Sequence, residues 1–341
     1  MLRISINGRS QMCAPGLTVL AALRGAAMQI PTLCHDVRLT PTGGCRLCLV
    51  EIEGQVRPVT ACTTLLADGM EIKTHTAQLE QLRRTQLRLL ARRYPKAESG
   101  DSPSNDFLRL IRDYALEHDL GATSCTDSVD DSHSCIQVDI SRCIHCFRCV
   151  RICEEVAGRF VWKAWNRGDC TEIRPASGVD LRNSDCVSCG ACVDTCPSGA
   201  LQDRSTQQGD LLTAEIRTVC PYCGAGCKML VGRRDQKIVS VRPVLDAPVN
   251  KGHLCNKGRY GWDFVHAPDR ISRPMISAAS SGAIDPRHVG AFGHLIHASG
   301  SNSSTLYQVD KVIVFVDHGR RRTECSIICC VALSMPASSV R

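Results

Sequence analysis

Aromatic residues are scarce in this sequence, and it has no long apolar run. Phe, Trp and Tyr make up 4% of its 341 residues. The formal charge of +7 is scattered and is not interleaved with aromatic side chains, unlike the basic patch of a nucleic-acid interface. The longest apolar candidates, 311–316 and 325–335, fall short of the roughly 18 residues that a membrane span needs. We therefore expect no nucleic-acid partner and no membrane span.

A secretory signal is also lacking. The opening stretch 1–8 has the pattern of a β-strand and turn and contains no apolar signal core. We therefore expect a cytoplasmic protein, in which reducing conditions disfavour disulfides. The 23 cysteines of the chain then indicate metal binding. The length allows two or three domains.

Two cysteine motifs in the middle of the chain have the same spacing, C-x2-C-x2-C-x3-C, at 143–153 and 186–196. This is the spacing of a two-cluster bacterial ferredoxin, in which the fourth cysteine of each motif ligates the other cluster. We therefore predict two [4Fe–4S] sites. The first consists of Cys143, Cys146, Cys149 and Cys196, and the second of Cys153, Cys186, Cys189 and Cys192. Zinc, which prefers two separated ligand pairs, and disulfides are the alternatives.

The N-terminal residues 1–76 carry a different cysteine pattern. Asn7-Gly8 predicts a hairpin turn after a first strand, and Thr18 predicts a helix N-cap. The spacing C-x10-C-x2-C-x13-C then surrounds the loop Gly43-Gly44, whose backbone N–H groups are left uncovered to face sulfides. We predict a [2Fe–2S] site in a β-grasp domain, with zinc as the alternative. Its ligands are Cys34, Cys45, Cys48 and Cys62.

A helical connector is predicted over 77–135. The leucines of a basic amphipathic helix at 77–93 mark its packed face, and a second helix is predicted at 106–120. The expected packed residues are Leu79, Leu82, Leu87 and Leu90 on the first helix, and Phe107, Leu108, Ile111, Tyr114 and Ala115 on the second. Further along, 161–165 and 170–173 predict a β-hairpin. We assign Trp162 and Trp165 on it to ordinary packing and give Cys170 no ligand role.

A third cysteine pattern follows a polar linker. It has the spacing C-x2-C-x3-C-x27-C and consists of Cys220, Cys223, Cys227 and Cys255. This pattern and the residues around it resemble the small [4Fe–4S] domain of molybdenum or tungsten bis-(molybdopterin guanine dinucleotide) enzymes, Mo/W bis-MGD enzymes for short. In that family a lysine just after the fourth cysteine lies between the cubane and the pterin. Lys257 matches this position. Zinc is again the alternative.

The order of these modules resembles the electron-input arm of three groups of enzymes. They are NAD-linked formate dehydrogenase α-subunits, the large peripheral subunit of respiratory complex I, and some iron-only hydrogenases. Many members carry a further connector cluster with the pattern H-x3-C-x2-C-x5-C. Here 93–95 departs from that pattern and the next cysteine after it is Cys125, so we expect this cluster to be absent. The resemblance of 262–271 favours formate dehydrogenases.

The predicted fold class is therefore α+β, with a [2Fe–2S] domain at 1–76, a connector at 77–135, a two-cluster domain at 136–206, a [4Fe–4S] domain at 214–273 and an irregular tail at 274–341. The resemblance implies electron transfer from a metal–pterin site toward a flavin-containing, NAD-reducing diaphorase-type partner. We expect the pterin-binding catalytic domain to be missing from this chain, and we nominate no catalytic residue. A non-enzymatic electron-carrier subunit and a complex I or NAD-hydrogenase diaphorase-type subunit are the alternatives.

Overall fold

The computed structural model describes residues 1–96, 105–121, 129–204 and 212–270. The chain divides into two compact units, Met1–Asp263 and Phe264–Arg341. The second is described only over 264–270, where a 3₁₀ turn, Asp263–His266, ends. The predicted tail and Cys125 therefore lie outside the described residues. No helix in the described part of the chain is both long and apolar enough to cross a bilayer.

The N-terminal region is a mixed sheet with a helix packed against it. Its elements are β1 (Leu2–Ile6), β2 (Arg9–Cys13), α1 (Val19–Gly25), β3 (Leu49–Ile52), β4 (Val59–Thr60) and β5 (Glu71–Lys73). The strand order is β2-β1-β5-β3-β4, with β1 and β5 parallel and the other neighbours antiparallel. Asn7 and Gly8 both have positive φ, as the predicted two-residue hairpin requires. The Thr18 hydroxyl accepts the Ala21 N–H at 3.2 Å and caps α1 as predicted.

The connector contains two helices, but the second is shorter than predicted. These are α2 (Ala77–Ala91) and α3 (Asp106–Asp113). The helix ends before Leu120 because Ala115 has a φ of +50°, after which the chain makes a 3₁₀ turn, Glu117–Asp119. The predicted packed position at Ala115 is therefore wrong, and that residue is exposed. Phe107, Leu108 and Ile111 are buried as predicted.

The packed face of α2 also differs from the leucine pattern. Leu79 and Leu87 are buried, whereas Leu82 is 36% exposed, so its prediction is wrong. The fully buried residue beside them is Arg83, which donates to the main-chain carbonyls of Leu47, Leu49 and Thr74. A buried guanidinium with three carbonyl acceptors is well satisfied, so it packs where an aliphatic residue was expected.

The next region contains two small antiparallel sheets. Their elements are β6 (Val129–Asp130), β7 (Ile136–Asp139), β8 (Trp162–Trp165), β9 (Glu172–Pro175) and β10 (Leu201–Asp203), and the short helices are α4 (Arg148–Arg151) and α5 (Ala191–Thr195). One sheet has the order β10-β7-β6, and the other is the predicted hairpin β8-β9. A wide helical turn, Ile152–Val156, continues α4. Cys170 lies in a 3₁₀ turn before β9, not on the strand as predicted.

The last sheet is a three-stranded antiparallel meander. It consists of β11 (Ala214–Val219), β12 (Lys228–Arg234) and β13 (Lys237–Pro243), and the short helix α6 (Asn256–Tyr260) follows. A tight turn joins β12 to β13, which begins at Lys237. Val239 and Val241 are buried, and Ser240 between them is buried as well.

Candidate iron–sulfur sites

The four N-terminal cysteines lie together beneath the loop that follows α1. We call Cys34, Cys45, Cys48 and Cys62 site 1. Three of them are buried and Cys45 is half-buried. The backbone N–H of Cys45 donates to Cys34 Sγ at 3.3 Å, and the thiols of Cys48 and Cys62 are adjacent hydrogen-bonding partners. The structure thus brings these four residues together.

Glycine shapes the loop over site 1. Gly43 has a φ of +66°, and a Cβ there would lie 3.1 Å from the Thr60 hydroxyl oxygen. The N–H groups of Gly43 and Gly44 are directed at the thiols of Cys62 and Cys34. N–H donors aimed at several sulfurs are what a [2Fe–2S] cluster requires from its surroundings, so the residues of site 1 fit that group.

Hydrogen bonds also favour the ionised form of one thiol in site 1. The pKa of Cys34 is lowered to about 5, chiefly because Cys45 donates a hydrogen bond to it. Backbone N–H groups and the positive charge of Arg151 act in the same direction, while burial opposes them. Since the thiolate is the form that binds metal, this thiol is prepared for ligation.

The two ferredoxin-type motifs form two neighbouring sites that exchange their fourth cysteines. Site 2 consists of Cys143, Cys146, Cys149 and Cys196, and site 3 consists of Cys153, Cys186, Cys189 and Cys192. Each set lines its own small cavity, which is otherwise surrounded mainly by apolar side chains. The thiols within each set interact electrostatically, and Cys149 also interacts with Cys192 across the two sites. The predicted crossover of Cys153 and Cys196 agrees with this grouping.

Equivalent loops surround sites 2 and 3. His145 and Phe147 in the first loop, and Ser188 and Gly190 in the second, have positive φ. This conformation turns backbone N–H groups toward the sulfurs, and the Ser188 N–H lies 3.4 Å from Cys186 Sγ. A tight loop with inward N–H donors fits a cubane that carries negative charge.

Burial favours the protonated form of three thiols of site 2. It raises the pKa of Cys143 and of Cys146 to about 12 and the pKa of Cys149 well above its ordinary value. Because only thiolates ligate iron, loading this site must release protons. An apolar cavity lined by four cysteines fits a [4Fe–4S] core, which the four sulfurs would bind once they are deprotonated.

Site 4 is more open than the other three. Its cysteines are Cys220, Cys223, Cys227 and Cys255, which interact electrostatically with one another. Cys220 is buried and Cys227 half-buried, whereas Cys223 and Cys255 are exposed. Cys255 directly precedes α6, and Lys257 is an exposed residue of that helix, two positions further on.

The described cysteines form no disulfide. Nor does any group of three or more His, Cys, Asp or Glu side chains within the described ranges have the close arrangement of a single-ion site. The zinc alternative remains to be tested by metal analysis.

Comparisons with known proteins cover each of these regions. Family models match at 1–77 (2Fe-2S iron-sulfur cluster binding domain), at 133–202 (NADH-quinone oxidoreductase subunit 3, ferredoxin-like domain) and at 213–267 (Molybdopterin oxidoreductase Fe4S4 domain). The chain is 37% identical to an NADH-quinone oxidoreductase subunit of Rhizobium meliloti, and the match covers 81% of this chain and 33% of that protein. The chain carries the iron–sulfur electron-transfer region of this oxidoreductase family.

Other relatives agree with this assignment. NADPH-Fe(3+) oxidoreductase subunit alpha of Geobacter sulfurreducens is 32% identical, with 81% of this chain and 33% of that protein covered. A Staphylococcus haemolyticus protein, provisionally named a formate dehydrogenase, is 24% identical over 81% of this chain and 32% of its own length. The chain thus spans about a third of the length of these curated relatives. A crystal structure of NAD⁺-reducing [NiFe]-hydrogenase aligns with a TM-score of 0.53 and 25% identity, covering 62% of this chain and 91% of that one.

Buried side chains tie the sites of this iron–sulfur region together. Arg148 on α4 donates to the Leu33 carbonyl and to Asp36 in the loop of site 1. On the other side, Arg259 of α6 forms ion pairs with Asp194 and Asp203 and lies directly against Gly190 of site 3. Sites 1, 2 and 3 and the helix that follows Cys255 are therefore linked by direct packing.

Sequence reasoning missed several residues around the sites. Trp162 is 3% exposed and belongs to the hydrophobic core, as ordinary packing predicts, but it also lines the cavities of both site 2 and site 3, a position that the sequence did not indicate. Its indole N–H is directed at Cys192. Arg148, Arg151 and Arg259 were also overlooked. Their positions within a few residues of predicted ligands were the only signal for them in the sequence.

Proposed function

We propose that sites 1 to 4 hold one [2Fe–2S] and three [4Fe–4S] clusters and that the chain conducts electrons between them. The observation that carries this proposal is the grouping of sixteen cysteines into four sets of four within the single unit 1–263. When bound, such clusters take up and release one electron at a time. We further propose the domain boundaries and the β-grasp fold of 1–76 that the sequence predicts.

In this proposal the residues of the chain hold the clusters, shield them from water and tune how readily they accept an electron. The cysteines fix each position, and the apolar walls of sites 2 and 3 exclude water. Backbone N–H groups directed at the sulfurs lower the cost of adding negative charge. No acid–base side chain is needed for this activity, so the proposal names no catalytic residue.

We propose that electrons arrive from a Mo/W bis-MGD site by way of site 4 and leave from site 1 to a flavin-containing, NAD-reducing partner in the cytoplasm. Support comes from the match of 213–267 to the Molybdopterin oxidoreductase Fe4S4 domain and from the likeness to a hydrogenase that reduces NAD⁺. Exposed Lys257 beside Cys255 would face the pterin. Formate as the electron source rests on the 24% relative.

A second candidate is a subunit of an NADH-quinone oxidoreductase or NAD-linked hydrogenase type. It is favoured by the 37% identity to the Rhizobium meliloti NADH-quinone oxidoreductase protein, which exceeds the identity to the formate dehydrogenase relative. Reduction of the purified chain by NADH and a diaphorase, followed without dye through the visible absorption of the chain itself, would support this second candidate, and no reduction would count against it. Dye reduction by formate without any partner would contradict our expectation that this chain lacks the catalytic pterin domain.

Iron and acid-labile sulfide analysis tests the cluster assignment. We expect about 14 irons per anaerobically purified chain, two from site 1 and four from each of the other sites. Cys146→Ser should remove about four of them. Cys170→Ser, which changes an exposed cysteine outside the four sites, is the matched control and should leave the iron content unchanged. Stoichiometric zinc in place of iron and sulfide would refute the proposal.

A further inference from the structure

Arg151 is a buried cation between site 1 and the ferredoxin-type motifs. It is the last residue of α4, between Cys149 of site 2 and Cys153 of site 3. Only 9% of its surface is exposed. Its guanidinium donates to the main-chain carbonyl of Cys34 at 2.5 Å and to that of Thr40 at 2.7 Å. One side chain thus connects the ligand-bearing helix to the loop of site 1 across more than a hundred residues of sequence.

No carboxylate of a described residue forms an ion pair with Arg151. Among the described residues its hydrogen-bond acceptors are two neutral carbonyls, and its buried Nε has no partner. Glu155, one turn later, accepts the Thr40 N–H instead. By contrast, neighbouring Arg148 pairs with Asp36. A buried charge without a counter-ion is costly, so an anion beside Arg151 would compensate it.

The thiolates of site 1 would supply the negative charge next to this guanidinium. Arg151 interacts electrostatically with the Cys34 thiol as well as with its carbonyl. Four thiolates outweigh the positive charge of a [2Fe–2S] core, and reduction adds one more negative charge. A fixed cation in a buried position favours the more negative state, because water does not screen it there.

We propose that Arg151 is the counter-ion of site 1, making its cluster easier to reduce, and that its guanidinium fork holds site 1 against the helix bearing the ligands of sites 2 and 3. This inference rests on the proposed function, because it requires a cluster in site 1. Arg151 acts as a positioning and tuning residue and touches no substrate.

Three substitutions separate charge from shape. Arg151→Met removes the charge and both hydrogen bonds, Arg151→Gln removes the charge but keeps a donor, and Arg151→Lys keeps the charge without the bidentate fork. Arg24→Met is the matched control. Arg24 is an exposed arginine that contacts His35, beside Cys34, so the same formal charge is lost near the same site but in water.

The experiment is a redox titration of each purified chain, followed by electron paramagnetic resonance, with iron content measured first. For Arg151→Met and Arg151→Gln we expect at least a tenfold drop in the reduced-to-oxidised ratio of site 1 at fixed potential, about 59 mV for one electron. Arg151→Lys should stay within about threefold of the wild type, and Arg24→Met within about twofold. Magnetic interaction between sites 1 and 2 should weaken in all three Arg151 variants.

The outcomes separate this inference from the proposed function. A wild-type chain without iron in site 1 would refute the proposed function itself. A loaded Arg151→Met chain that titrates like Arg24→Met would overturn the inference alone. If both neutral variants lose the site 1 iron while Arg151→Lys retains it, the counter-ion role is supported. Loss of that iron in all three variants would instead show a purely structural role and overturn it.

Discussion

Substitution of Asp36 should lower the free energy of unfolding of the unit 1–263. Its side chain is 6% exposed and accepts hydrogen bonds from Arg38, Arg148 and Thr195, the last at 2.7 Å. Arg38 also donates to the Gly252 carbonyl at 2.7 Å. One carboxylate therefore joins the loop of site 1 to α4, to α5 and to the chain ahead of Cys255.

Asp36→Asn keeps the shape but leaves two buried guanidinium groups without their carboxylate. Removing one partner of a buried ion pair typically costs about 3–5 kcal/mol in the free energy of unfolding. For a unit of this size, that loss corresponds to a fall in Tm of about 10 °C. Asp139→Asn is the control, because the Asp139 side chain is 22% exposed and, within the described ranges, its carboxylate accepts hydrogen bonds from Ser141 and Arg142 nearby. It should cost about 1 kcal/mol or less.

The pH dependence of this difference follows from the pKa of Asp36. Burial alone would raise that pKa, but hydrogen bonds from Arg38 and Thr195 and the charge of Arg38 hold it well below its ordinary value of 3.8. Because the folded-state pKa is lowered, the stabilisation is complete above the ordinary pKa and is lost as the pH falls below it. The difference between wild type and Asp36→Asn should thus be constant from about pH 5 to 8 and shrink below about pH 4.

Thermal unfolding followed by circular dichroism measures both effects, on the cluster-loaded chain from pH 5 to 8 and on the cluster-free chain at lower pH. The reasoning fails if Asp36→Asn lowers Tm no more than Asp139→Asn does. It also fails if the difference between the wild type and Asp36→Asn changes steadily between pH 8 and pH 5.

Two further substitutions, Trp162→Phe and Gly190→Ala, test residues packed around site 3. Trp162→Phe should lower the reduced-to-oxidised ratio of site 3 a fewfold in a redox titration, because the indole N–H directed at Cys192 is lost. Trp165→Phe, whose indole donates to a main-chain carbonyl on the same hairpin, should not; equal shifts in both would contradict this role. Gly190→Ala should deplete the iron of site 3, because a Cβ there would collide with the Arg259 side chain. Gly158→Ala, also at positive φ but with open space around it, should cost only about 1–2 kcal/mol of backbone strain and keep its iron.

Short sequence signals predicted the local structure of this chain. The Asn7-Gly8 turn and the Thr18 cap depend on residues that are neighbours in sequence, and the structure has them where they were expected. Periodicity was less reliable on the connector. Leu82 fits the apolar stripe of α2 and yet is exposed, because the guanidinium of Arg83 occupies the buried face.

Cysteine spacing, together with the resemblance at 220–255, gave the four proposed ligand sets, because in each [4Fe–4S] set three cysteines lie a few residues apart in one loop. Tertiary structure decided what surrounds those sets: Arg151 beside site 1, Trp162 between sites 2 and 3, and Arg259 against Gly190. The physical reason is that burial and charge compensation arise between segments far apart in sequence. An arginine that pairs with a carbonyl 117 residues away has the same local pattern as one that faces water.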